Sequence, residues 1–143
     1  SQEIHAGSYA PAETLLQQVI TQNTTNEHNF NAIAYYDLGV SAQKQGRLQD
    51  AISYYQRCLT LAPEYRNAWY NKAVAEMTTN KPQALSDFNH ILTKYPNDSS
   101  SLYNSGLLLY RSGNTAEGVT RMKRGISLNP ALANRLPSDI NLG

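Results

Sequence analysis

The sequence predicts an all-α chain built from antiparallel helix pairs. Three observations carry this. Prolines at 63, 96 and 130 stand 33 and 34 residues apart. Tyrosines at 36, 70 and 103 stand 34 and 33 apart. Between each tyrosine and the next proline lies a short polar break: Gln45-Gly46-Arg47, Asn80-Lys81-Pro82 and Ser112-Gly113-Asn114. A period near 34 residues with helical patterning marks a helix–turn–helix repeat, and no stretch alternates as a strand would.

The units follow from the spacing: 32–65, 66–98 and 99–132. Each places a small residue on both helices, in the pairs Gly39/Ala51, Ala73/Ala84 and Gly106/Gly118, so that the two backbones can approach closely. Tyr35, Trp69 and Leu102 supply a bulky residue early in each first helix. Tyr55, Phe88 and Met122 do the same in each second helix, and Leu59, Leu92 and Ile126 close each pair. The middle unit is one residue shorter between tyrosine and proline. Pro82 accommodates the loss, because proline can open a helix where the N–H needs no partner. Pro63, Pro96 and Pro130 follow the second helices and stop them.

The motif carried by these residues resembles the tetratricopeptide repeat. The first unit shows it most fully, as Tyr35-x-x-Leu38-Gly39, then Ala51, Tyr55 and Pro63. The second departs at Lys72-Ala73, and the third carries Gly118 and Met122 where alanine and an aromatic are usual. The resemblance covers residues 32–132. It implies an α-α solenoid, a right-handed superhelix of antiparallel helix pairs whose first helices line a concave groove.

At the ends, residues 12–25 read as one amphipathic helix, so 1–31 forms a tail and an N-terminal capping helix or half-repeat, with Asn26–Asn31 as connector. After Pro130, Pro137 leaves room for only a turn or two of helix. Residues 133–143 are thus expected to form an undersized cap, over a helix weakened by Gly118 and Gly125, each costing about 1 kcal/mol relative to alanine. The third unit is accordingly expected to be the least protected, and this end is the place where a second copy could add to form a homodimer.

Carried onto the repeat, helical spacing places Tyr36, Val40, Tyr70, Asn71, Val74, Tyr103, Asn104, Leu107 and Tyr110 in the groove. The tyrosine column offers large amphipathic area at low entropic cost, and the asparagines can donate to and accept from an extended backbone. Two roles fit the tyrosines: packing between adjacent units, or that packing together with ligand contact. The surface suits a protein or peptide ligand. The carboxylate clamp of tetratricopeptide co-chaperones is not expected, since its places hold Tyr36, Val40, Asn71, Ser100 and Asn104, of which only Asn71 fits.

Composition narrows the remaining classes. Twelve basic and eleven acidic residues give a net charge of +1, so no general field favours nucleic acid. Only 16% of residues are charged, below the roughly 25% of an average domain. His5, His28 and His90 have no repeat-related carboxylate or thiol nearby in the pattern, and Cys58 sits at an alanine position of the pair core. No catalytic set, metal site or cofactor is therefore expected, and an enzyme is the least favoured class. Arg121, Lys123 and Arg124 read as a solvated basic face. The leading function is a non-enzymatic interaction module that captures a peptide or partner protein in a neutral, tyrosine-lined groove. The alternative is a self-assembly module joined through its weakly capped end. Low charge and a start at Ser1 favour the extramembrane part of a membrane-anchored or exported bacterial protein, its anchor upstream, over a cytoplasmic adaptor.

Overall fold

The helix boundaries in the computed structural model, which describes residue 17 and residues 28–143, sit at the turn chemistry just outlined. Among residues 28–143 six α-helices run in order: α1 His28–Lys44, α2 Leu48–Leu61, α3 Arg66–Thr79, α4 Lys81–Lys94, α5 Ser99–Arg111 and α6 Thr115–Leu128. A 3-10 helix, Pro130–Arg135, follows. Among the described residues there is no strand. The chain divides into two units, Ser1–Thr79 and Asn80–Gly143.

In the first unit, α1 packs on α2 and α2 on α3. The α1–α2 turn closes through Gly46 at φ 77°, with Arg47 N donating to Ala42 O at 2.9 Å. A left-handed residue at this place is the usual way to satisfy the last carbonyls of a helix. The core joins Ala32, Ala42, Ala51, Tyr55, Cys58, Leu59 and Ala68. Gly39 is needed because a β-carbon there would fall on the Tyr55 ring. Trp69 Nε1 donates to Pro63 O at 2.7 Å, fixing the α2–α3 connection. Lys72 and Glu76 are both buried and paired at 2.9 Å, which is how α3 carries a lysine where the repeat usually has leucine.

The predicted helix over 12–25 lies outside the described residues except for Gln17, which is helical and donates from Nε2 to Tyr54 Oη at 2.8 Å. The connector expected over Asn26–Asn31 is shorter than predicted. Residues 28–31 belong to α1, and no glycine or proline there interrupts the helix.

In the second unit, α4 packs on α5 and α5 on α6. Asn80 alone precedes α4 as its cap, its side chain accepting from Gln83 N, with Pro82 in the first turn. Lys81 and Pro82 are thus helical, and the predicted three-residue break is one residue wide. The α5–α6 turn repeats the first unit's solution: Gly113 has φ 100°, and Asn114 N donates to Leu109 O at 2.9 Å. Helices α5 and α6 come very close. A β-carbon on Gly118 would meet Tyr110 N at 2.6 Å and Gly106 O at 2.7 Å, and one on Gly125 would meet Ser99 O at 2.8 Å. The intrinsic helix cost of these glycines is therefore offset by an approach that alanine would prevent.

The undersized cap expected after Pro130 is corrected as well. Residues 130–143 fold back over the α5–α6 pair, burying Leu132 and Ile140 in one core with Tyr103 and Met122. The proline-limited helix is short, as expected, but the apolar residues beyond it do the covering. Residues of the chain itself thus cover the end that was expected to be weakly capped.

Candidate peptide-binding face

The predicted groove residues of the first unit lie on α1 and α3. Tyr36 is half-buried. Its ring stacks on Tyr65 at 5.1 Å between centroids and leans on Tyr55 at 5.9 Å. Its hydroxyl accepts from Asn71 Nδ2 at 2.9 Å, and burial raises its pKa above the ordinary tyrosine value. Tyr55, fully buried, donates to Gln43 Oε1 at 2.6 Å. Tyr36 thus serves as packing between consecutive first helices. Around it Val40, Tyr70, Asn71 and Val74 are all half-buried, and Ile33 on α1 is 48% exposed. The Arg66 guanidinium lies 4.8 Å from the centre of the Tyr70 ring. The result is a partly open aromatic, aliphatic and amide surface.

In the second unit Tyr103 and Asn104 are enclosed, while Leu107 and Tyr110 are half-buried. Tyr103 is 1% and Asn104 2% exposed, and Leu107 and Tyr110 pack against the core that contains Tyr103, Leu132 and Ile140. The expectation that Tyr103 and Asn104 line an open groove is therefore corrected. Arg135 lies over the Tyr103 ring at 5.4 Å and donates to Asn104 Oδ1 at 3.5 Å. Arg111 forks onto Asp139 with N–O distances of 2.5 and 3.1 Å. Sequence reasoning missed Leu132, Leu136 and Ile140 as partners of this face. Their signal was there, in apolar residues four apart, but Pro137 between them argued against a continuous helix.

Cys58 is fully buried, and burial, helped by Asp37, pushes its thiol up to about 11. Arg121 is not part of a solvated face as expected: it donates to Asn89 Oδ1 at 2.6 Å, Ser105 Oγ at 3.1 Å and Glu117 at 3.0 Å. Lys123 and Arg124 are exposed. Among the described residues no group of three or more His, Cys, Asp and Glu side chains could hold a metal, and no helix is long and apolar enough to cross a membrane. A cavity of about 280 Å³ lies against Lys81, Pro82, Leu85, Leu108, Arg111 and Ser112.

Residues 32–65 match the family model described as tetratricopeptide repeat. The fold is that of the tetratricopeptide repeats. A tetratricopeptide repeat protein from Parabacteroides merdae is similar at 24% identity and a TM-score of 0.79, over 87% of this chain and 48% of that one. MamA from Desulfovibrio magneticus RS-1 is similar at 21% identity and a TM-score of 0.76, over 87% and 68%. YrrB, described as a tetratricopeptide repeat protein with an unusual peptide-binding site, gives 19% and 0.73, over 90% and 66%. An uncharacterized protein of Methanocaldococcus jannaschii is 42% identical over 41 residues, which are 29% of this chain and 48% of that protein. The match thus spans about half the length of this curated relative. The tetratricopeptide-repeat fold supports a protein–protein interaction module, and the family is typically non-enzymatic.

Proposed function

We propose that the chain is an interaction module that captures a peptide or a peptide-like segment of a partner protein on the first-helix faces of its repeats. In the first unit the capture surface is Tyr36, Val40, Tyr70, Asn71 and Val74. The observation that carries the reading is that all five remain half-buried after folding. They are held in place by their neighbours but still offer area to a ligand. The Tyr36–Asn71 bond fixes two of them in advance, so little side-chain entropy is lost on binding. A neutral ligand with apolar side chains fits, since an aromatic and amide surface without a cluster of like charge rewards shape and hydrogen bonding more than charge. YrrB, which shares the fold, is described as having a peptide-binding site.

The test is affinity for a peptide selected from a random library against the whole chain. Tyr70→Ala and Val74→Asp are expected to weaken it at least about tenfold, the effect of losing roughly 1.4 kcal/mol, with the helical circular dichroism signal intact. Unchanged affinity in both folded variants would contradict this reading.

A further inference from the structure

The segment 130–143 is seated on the face of α5 that the repeat pattern assigns to ligand. Leu132 and Ile140 are buried with Tyr103 and Met122, and Leu136 packs at their edge. These three apolar residues recur every fourth position. Polar contacts flank them, with Arg135 on Tyr103 and Asn104 and Asp139 on Arg111.

Two features set this cover apart from a permanent part of the core. Its regular structure is a single 3-10 helix of six residues, and the Arg111–Asp139 pair is solvent-exposed on both sides, where ion pairs hold weakly. In addition, Tyr103 Oη is buried with no hydrogen-bond partner among the described residues, although its ring is almost completely enclosed. Buried hydroxyls are nearly always satisfied, and leaving one unmet is destabilising. Residues 130–143 therefore fill the face without meeting its one outstanding polar demand.

We infer that residues 130–143 are an internal occupant of a peptide-binding face. That face takes, in trans, a short peptide with apolar side chains at four-residue intervals, an arginine beside the middle one, and a carbonyl or carboxylate oxygen placed to accept from Tyr103 Oη. The inference rests on the reading of the first-helix faces as peptide-binding. The segment and the incoming peptide compete, so the apparent affinity is reduced by the fraction of chains in which the segment is lifted.

The test uses a fluorescent peptide with the sequence of residues 130–143, titrated by anisotropy into the full chain and into a full-length Leu132→Ser/Ile140→Asn variant. The variant, once its helical signal is confirmed, is expected to bind at least about tenfold more tightly than the unaltered chain, because the competitor is loosened. Equal affinity, or no binding by the folded variant, overturns the inference. Amide exchange in the unaltered chain decides the matter if the variant does not fold. The amides of Leu136 and Ile140, bonded only to Ala133 O and Pro137 O of the same segment, are expected to exchange at least about a hundredfold faster than those of Leu109 and Met122, as a locally opening segment does. Equal exchange would mean that the segment opens only when the unit unfolds, and would also overturn it. Tyr103→Phe, which removes the unmet hydroxyl, is expected to slow exchange in the segment; unchanged exchange counts against the role of Tyr103 Oη. Loss of peptide capture in Tyr70→Ala together with no binding of the 130–143 peptide would sink this inference and leave the first-unit reading standing.

Discussion

The side-chain amide of Asn71 donates to the hydroxyl of Tyr36 at 2.9 Å, tying the first helix of one repeat to the first helix of the next. Tyr36→Phe removes this bond while keeping the ring on Tyr65. It is expected to lower unfolding stability by about 1 kcal/mol in urea titration. Tyr36→Ala also loses the stacking and is expected to cost about 3 kcal/mol. Equal effects of the two would mean that the ring packing contributes little.

Gly118→Ala should run against ordinary helix propensity. In an open helix the change stabilises by about 1 kcal/mol. Here the new β-carbon would meet Tyr110 N at 2.6 Å, a backbone atom that cannot turn aside. Overpacking of this kind costs about 1–3 kcal/mol, so a lowered melting temperature is expected. A rise would show that α5 and α6 separate freely.

Cys58 is expected to resist thiol reagents at pH 8. Its thiol is fully buried and raised to about 11, and the thiolate is the reactive form. Labelling by a disulfide reagent should track opening of the first unit and accelerate with urea. Prompt labelling of the native chain would contradict the packing around Tyr55 and Cys58.

Acid should loosen residues 130–143 ahead of the helices. The hydrogen bond from Arg111 holds the Asp139 carboxyl below its ordinary value of 3.8. A carboxylate whose pKa is depressed on folding contributes stability that is present above the unfolded value and is lost as pH falls through the folded one. The Ile140 methyl signal is therefore expected to shift toward its unfolded position as pH falls below about 4, and Asp139→Asn should remove that pH dependence. Since both partners are exposed, added salt should act in the same direction.

The pattern of large and small residues was legible because each one answers a short-range demand. Gly46 and Gly113 close turns at positive φ, Pro82 sits in a helix's first turn, and Tyr55 and Met122 fill the pair cores. The fate of Tyr103 was not legible in the same way. It occupies the same register as Tyr36 and Tyr70, yet its burial depends on residues about thirty positions later that follow no repeat rule. Leu132, Leu136 and Ile140 carry the necessary spacing, but Pro137 makes them look like a broken helix instead of a cover. Arg121 was misread for a related reason: Asn89 and Ser105, which accept from it, lie on other helices. Local spacing gives the helices; contacts between distant polar groups need the fold.

Mapping a library-selected peptide onto the chain by NMR chemical-shift perturbation tests the central claim most directly. Perturbations are expected to cluster at Val40, Tyr70, Asn71 and Val74 on the first-helix faces. Clustering instead at Gln56, Arg57, Ser86 and His90, which are exposed on the second helices, would contradict it.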